Sequence, residues 1–431
     1  MSKIRDYLEV HRQEMIDFLA ELVAIPSVQG ESVEGCPFGR MPAKALETML
    51  KKCEEFGFTV DNVENYAGSA DVNGLAPELA VLTHLDVVPV GTGWTTDPYV
   101  LRYEPDTDKL VGRGAIDDKG PAVAALFAAR AIKELGLPLK KGIRLIFGTN
   151  EENGSADLAY YRKKRELPPM VFTPDGEYPL INAEKGMLRV YFSAGFNNGL
   201  IRGGEVINAV PAECTHDIRL YENGSESMNY GRMHGVSAHA STPEKGENAI
   251  TKFLHYNNYG LPQLLKLKEL FPHGEFNGKS CGLGFRDDIS GDMTCVLSML
   301  NTENGRINGG IDIRFPLDRT KAEISDIIYR KLRDAGFNID SCEGVEPHCT
   351  DENSDFVQAL LRVYERVTGD KGKCIAIGGG TYVHEIEGGV AFGAEFPNED
   401  GHMHCPDEFI TVENLLKNAE IMAEAMVELC C

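Results

Sequence analysis

Basic residues are in short supply: 43 lysines and arginines stand against 66 aspartates and glutamates in 431 residues, a formal net charge of −23. That charge repels a phosphate backbone, and no Lys/Arg stripe interleaved with aromatics offsets it locally, so no nucleic-acid partner is expected. Long apolar runs are missing as well. The opening MSKIRDYLEVHRQEMIDFLAELVAIP carries charges throughout, with neither the apolar centre of a signal peptide nor a membrane span, so no membrane association is expected. It reads as an amphipathic helix in which Ile4, Leu8, Met15, Phe18, Leu19 and Leu22 recur at helical spacing, stopped by Ile25-Pro26. CxxC pairs are absent too. Eleven cysteines, an odd number ending in the adjacent Cys430 and Cys431, suggest no disulfide framework, and a reducing cytoplasm is the expected compartment. Cys405 is expected to be a buried free thiol.

The chain is long enough for two or more domains, and 42% hydrophobic with 25% charged residues is an ordinary globular composition. No repeat or low-complexity linker divides it. Between about residues 79 and 175, short apolar runs (Leu79 to Thr83, Ile143 to Gly148, Met170 to Thr173) alternate with a helical stretch from Pro121 to Leu135. This predicts βαβ units on a mostly parallel central sheet with flanking helices, an α/β domain. After residue 185 the pattern changes: alternating strands at Met187 to Phe192, Met293 to Leu300 and Gly309 to Phe315, the last after the turn Asn304-Gly305, then a helix from Lys321 to Ala335. We expect an inserted α+β ferredoxin-like domain over 185–346, splitting the first domain into 1–184 and 347–431. The final part supplies helices from Ser354 to Thr368 and Thr411 to Leu429, with apolar runs at Cys374 to Ile377 and Val390 to Gly393 between them.

Acidic and imidazole side chains gather in five short stretches: Thr83-His84-Leu85-Asp86, Asp117-Asp118-Lys119-Gly120, Asn150-Glu151-Glu152-Asn153, Pro174-Asp175-Gly176-Glu177 and His402-Met403-His404. Three of the acidic clusters directly follow apolar runs, which puts them at the carboxyl ends of strands, where open α/β sheets assemble ligand sites. In His84-x-Asp86 a carboxylate can fix an imidazole tautomer while the other nitrogen binds metal; alone, such a pair is usually a loop pair or a helix cap. Asp117-Asp118 reads either as a solvated turn capping the next helix or as a carboxylate bridging two cations about 3.5 to 4 Å apart. Adjacent Glu151 and Glu152 either decorate a helix N-terminus or divide labour, one coordinating and one moving protons. Asp175 reads equally well as a turn aspartate, and the residues alone do not choose between His402 and His404. Taken jointly, two imidazoles and three carboxylates suit two zinc or zinc-like ions.

Together these stretches resemble the dinuclear-zinc peptidase and deacylase family that contains Xaa-His dipeptidases, carnosinases, aminoacylases, acetylornithine deacetylase and succinyl-diaminopimelate desuccinylase. The similarity spans nearly the whole chain and is nearest to the bacterial dipeptidase V group, through THLDVVPVGTGW, GRGAIDDKGP, GTNEENGS, TPDGEYP, INAVPAE, GVSAHAS and IGGGTYVHE. The resemblance implies that His84, Asp117 and Asp175 hold one metal and Asp117, Glu152 and His404 the other, with Asp117 bridging. It implies Glu151 as general base, Asp86 as the carboxylate orienting His84, and a cis Asp117-Asp118 peptide. It makes the insert a lid that contributes His239 as an oxyanion donor, with Asn208 orienting that region. Arg314 would clamp the substrate carboxylate, with a surface ion pair as its plain alternative, and Gly379 would offer it a backbone N–H. The stretch between Leu220 and Gly235 is short beside the inserts of that group.

The expected function is therefore a cytoplasmic dipeptidase with two divalent ions, zinc first, manganese or cobalt as alternatives. It would act on short unblocked peptides, Xaa-His or β-alanyl dipeptides among them, as a monomer rather than a dimer. Glu177 is a candidate for receiving the free ammonium. An N-acyl-amino-acid deacylase of the same family, or a metal-binding homologue without turnover, are the alternatives.

Overall fold

The computed structural model describes residues 2–222, 225–256 and 259–431. It divides into two compact units: Met1–Asn182 with Thr350–Ile375 and Thr381–Cys431, and Ala183–Cys349 with Ala376–Gly380. The short piece Ala376–Gly380, which the sequence placed with the last part of the first domain, groups with the second unit. Its carbonyls explain why: Ile377 accepts from the Lys185 amide at 3.0 Å, and Gly378 accepts from Arg314 Nη1 at 3.0 Å.

In the first unit the strands run in the order Thr59–Val63, Ala67–Asp71, Gly142–Gly148, Pro77–His84, Met170–Thr173, Val390–Ala391 and Leu180–Glu184. Pro77–His84 pairs parallel with Gly142–Gly148 and with Met170–Thr173, which pairs parallel with Val390–Ala391. These are the expected apolar runs. From Leu79 to His84 every residue is buried, as a strand covered on both faces requires. The antiparallel hairpin Thr59–Val63 and Ala67–Asp71 gave no such signal, because its inner residues are small. The helix Arg40–Glu55 lies so close that a Cβ added to Gly68 would sit 2.8 Å from Leu46 Cδ1.

The helix expected from Pro121 begins at Lys119 and ends at Glu134. Pro121 still falls in the first turn, where a missing N–H costs nothing. This helix is buried nearly all round, from Lys119 to Ala129 without a break, and packs against the C-terminal helix Val412–Cys430. The N-terminal helix is two helices, Lys3–Val10 and Arg12–Val23, jointed at His11. The six apolar positions read from the sequence are buried on both sides of that joint. No described helix is long and apolar enough to cross a membrane.

The second unit carries an antiparallel seven-stranded sheet in the order Ser225–His234, Glu213–Glu222, Gly199–Gly203, Thr294–Glu303, Arg306–Phe315, Gly186–Gly195 and Asn338–Val345. Helices Ala249–Tyr256, Pro262–Leu270 and Lys321–Asp334 complete it, the α+β build expected of the insert. The turn Asn304-Gly305 joins two of its strands with φ of 52° and 73°, as a tight hairpin of type I′ demands. Within 220–235, Leu220 to Glu222 pair antiparallel with Ser225 to Ser227 as the end of another ladder; residues 223–224 lie outside the described residues.

Gly186 faces Phe315 across the ladder, and a Cβ there would sit 2.2 Å from Phe315 Cζ. Gly186→Ala is expected to cost about 1–3 kcal/mol through overpacking. Urea unfolding of the variant against the parent measures it.

Candidate active site

Neighbouring parallel strands end on the donors. His84 is the last residue of its strand; Glu151 and Glu152 follow Gly148, and Asp175 follows Thr173, by a few residues each. His84 Nε2 is 3.0 Å from Asp117 Oδ1 and 3.8 Å from Asp175 Oδ2. His404 Nε2 is 2.9 Å from Asp117 Oδ2 and 3.2 Å from Glu152 Oε2. Asp117 thus gives one oxygen to each imidazole. Two donor triplets, His84 with Asp117 and Glu152, and His84 with Glu151 and Asp175, have their donor atoms within 4.8 Å of one another. Glu151 therefore reaches the same imidazole as Asp175.

His402 lies apart from this group. Its amide donates to Asp400 Oδ1 at 3.0 Å, and its ring stands edge-on to Phe409 at 5.5 Å. Both histidines have positive φ, 58° for His402 and 60° for His404, and it is the second that turns to the carboxylates. Cys405, expected to be buried, is exposed.

Asp86 lies beside His84 through both its main chain and its side chain. Its main-chain carbonyl lies 3.0 Å from His84 Nδ1, while the nearer carboxylate oxygen is 3.5 Å away. A carbonyl can only accept, so Nδ1 carries a hydrogen, and Nε2, which faces Asp117, is the nitrogen whose proton a bound cation would displace. The Asp86 carboxylate is used elsewhere: Oδ1 accepts from the Glu151 amide at 3.1 Å and Oδ2 from the Glu152 amide at 3.2 Å. The Asp117-Asp118 peptide is cis, and Asp118 Oδ2 accepts the His84 amide at 3.0 Å.

Two further residues shape the Glu151 turn and were not singled out from the sequence. Asp157 Oδ2 accepts from the amides of Thr149 at 2.6 Å and Asn150 at 2.8 Å and from the Tyr382 hydroxyl at 2.6 Å. Tyr382 also meets the His84 ring edge-on at 6.2 Å and fills the space beside Gly148 that a Cβ would need. The only signals were weak ones: Tyr382 sits in IGGGTYVHE, and Asp157 looks like any acid in a first helical turn.

The remaining expected residues lie in the second unit. Asn208 and His239 are joined by a two-stranded ribbon in which the Asn208 carbonyl accepts the Ala240 amide at 2.8 Å. The Ser241 amide donates to His239 Nδ1 at 3.3 Å, with Ser241 Oγ at 2.6 Å, which leaves the hydrogen of a neutral ring on Nε2. Arg314 is neither a surface ion pair nor an open clamp. It is buried, with Nε and Nη2 bonded to the Asp312 carboxylate at 2.6 and 3.0 Å and Nη1 to Gly378. Residues two apart on a strand share a face, so the fork is taken by its own neighbour. Gly379 follows the carbonyl that Arg314 holds, with Ile377 Cδ1 4.0 Å from where its Cβ would be.

Charge sets the character of the site. Burial pushes the acids up, reinforced by neighbouring carboxylates: Glu151 and Asp118 stand well above the ordinary range, Glu152 is raised, and Asp175 is pushed up to about 7. Asp117 goes the other way, because hydrogen bonds from His404 and His84 outweigh its burial. Bonds to Asp117 and Glu152 raise His404 to about 11. Burial opposes the charge on His84, yet Asp117, Asp86 and Asp175 carry it well above its ordinary value. Six carboxylates and two imidazoles in one cleft leave excess negative charge, and buried Glu152 Oε1 and Asp118 Oδ1 have no hydrogen-bond partner among the described residues. Divalent cations fit this oxygen and nitrogen donor set.

Such a donor set at the carboxyl edge of a parallel sheet has the build of a metallohydrolase. Residues 80–428 match the profile of peptidase family M20/M25/M40, and the chain belongs to that family. It is 32% identical over 466 residues to the Beta-Ala-Xaa dipeptidase of Lactobacillus delbrueckii subsp. lactis, covering 99% of this chain and 98% of the relative. In fold it is similar to human carnosine dipeptidase 1, with a TM-score of 0.64, 18% identity and 99% of each chain covered. It is also similar to the Bacillus subtilis YXEP protein, a dinuclear metal binding peptidase of the M20 family, with a TM-score of 0.56, 12% identity and 98% and 99% of the two chains covered.

These shifts fix a pH dependence for the metal-free protein. Between 3.8, the ordinary value, and about 7, the folded chain keeps a proton on Asp175 that the unfolded chain has released, so stability falls as pH rises through that window. His404 contributes stability that is full below 6.5 and lost as pH rises toward about 11. Both slopes have one sign. Under chelation Tm is expected to fall from pH 5 to pH 7, and added Mn²⁺ should raise Tm more at pH 8 than at pH 5, because ligands must be deprotonated to bind. Thermal unfolding across that range checks it, and a chelated Tm that climbs with pH refutes it.

Proposed function

We propose that the chain is a dinuclear metallodipeptidase that hydrolyses short unblocked peptides, β-alanyl and Xaa-His dipeptides among them. The observation that carries this reading is Asp117 between two imidazoles, with Glu151 on an adjoining turn that Asp86 holds by its amides. The dipeptidase name of the 32% identical relative supports the substrate class. His84, Asp117 and Asp175 would hold one cation and Asp117, Glu152 and His404 the other. When bound, the pair supplies Lewis acidity that acidifies a water and polarises the peptide carbonyl.

The chain's own part is proton movement. Glu151, raised by burial and by nearby Asp175, is a carboxylate whose surroundings favour holding a proton; it accepts one from the attacking water and returns it to the departing amine. Asp86, by holding the Glu151 and Glu152 amides, keeps the base beside the ligands. Glu177, exposed two residues after Asp175, is the proposed partner of the free ammonium of a dipeptide. A reducing cytoplasmic location belongs to the same proposal, in keeping with the buried free thiols Cys53, Cys214, Cys281, Cys295 and Cys430.

A panel of dipeptides and N-acetyl amino acids, assayed after reconstitution with Mn²⁺ or Zn²⁺, tests the substrate class. Cleavage of dipeptides is expected; turnover of N-acetyl amino acids alone would make the protein a deacylase. Glu151→Gln is expected to lower kcat by about 10²- to 10⁴-fold while binding metal as the parent does. Undiminished turnover in that variant removes Glu151 as the base.

A further inference from the structure

We propose that Glu408, assigned no part so far, is a positioning residue that sets the shared carboxylate of Asp117 against His404; this rests on reading Asp117 as the common metal ligand. Glu408 is wholly buried. Its Oε1 accepts from the amides of Ile116 at 3.1 Å and Asp117 at 3.2 Å, and its carbonyl accepts the Gly112 amide at 2.9 Å. One residue therefore grips the turn that presents Asp117 at both ends.

The same residue belongs to the loop that presents His404. Strand Phe409–Thr411 pairs antiparallel with Lys109–Val111, with Phe409 opposite Val111. From this short ladder the chain leaves at Val111 toward Asp117 and arrives at Phe409 from His404. Main-chain pairing thus brings the two loops side by side, and the Glu408 side chain crosses between them just where they diverge. Beyond that crossing Asp117 Oδ2 and His404 Nε2 are 2.9 Å apart.

Arg113 completes the device. Its Nη1 is bonded to Glu408 Oε2, while its Nε and Nη2 have no hydrogen-bond partner among the described residues and the Trp94 ring lies 5.2 Å from its guanidinium carbon. A buried ion pair adds little net stability, since desolvation offsets attraction. What this one adds is direction. Arg113 holds the carboxylate by one oxygen, so the other faces the Asp117 amide.

Isothermal titration of the metal-free full chain with Mn²⁺ tests this. Glu408→Gln keeps only one acceptor oxygen, so its N–H₂ meets a donor at either Arg113 or the Ile116 and Asp117 amides, and is expected to weaken Mn²⁺ binding by about 10- to 100-fold, the usual effect of losing an outer support. Should that variant fold poorly, the double variant Arg113→Leu/Glu408→Met removes the pair without stranding a charge and is expected to show the same loss. Asp71→Asn, which breaks the Asp71–Arg144 pair (2.7 Å) of two strands well before Gly148, is the control for lost stability without lost metal. If the Glu408 variants bind Mn²⁺ within threefold of the parent while their Tm falls, Glu408 is structural only and the proposal is wrong. A parent that binds Mn²⁺ but cleaves no dipeptide defeats the peptidase reading and leaves this comparison intact.

Discussion

Everything at the carboxyl edge of the first sheet answers to one constraint: a buried cleft in which carboxylates outnumber the positive charges facing them. Asp117 resolves part of it by accepting both imidazoles, one on each oxygen. The other acids cannot share that relief, and burial drives them toward their protonated forms. A chain that only had to be stable would not gather these groups, because each ionised acid away from water costs more than a neutral residue of the same size. The arrangement makes physical sense when cations enter with the fold.

Main-chain amides do much of the remaining work. Asp86 takes those of Glu151 and Glu152, Asp157 those of Thr149 and Asn150, Asp118 that of His84, and Glu408 those of Ile116 and Asp117. Each of these buried carboxylates holds backbone, so the clustered donor side chains are placed by loops that are themselves bonded. Orientation of this kind limits the freedom a metal ligand would otherwise lose on binding.

The parallel core and the acidic and imidazole clusters were legible because they leave strong local marks. Runs such as Leu79 to Thr83 can only be buried strands or helices, and acids placed just after them fall at one edge. The hairpin over residues 59–71 left none, since Ala67, Gly68 and Ala70 are small for packing reasons that depend on a distant helix. For Arg314 the strand and the shared face with Asp312 two residues away were legible, but not that the Asp312 carboxylate takes Nε and Nη2. Asp86 was half read, its neighbour on the chain being visible in the sequence and its bonds to residues 151 and 152 not. Glu408 sits in full view in PDEF, but its partners are nearly three hundred residues away.

The two amides on Asp86 have one more consequence. Because a single carboxylate carries successive residues of one turn, Glu151 and Glu152 form a single rigid piece, and neither can be shifted without dragging the other. A push on either glutamate is thereby passed to the other through the Asp86 carboxylate.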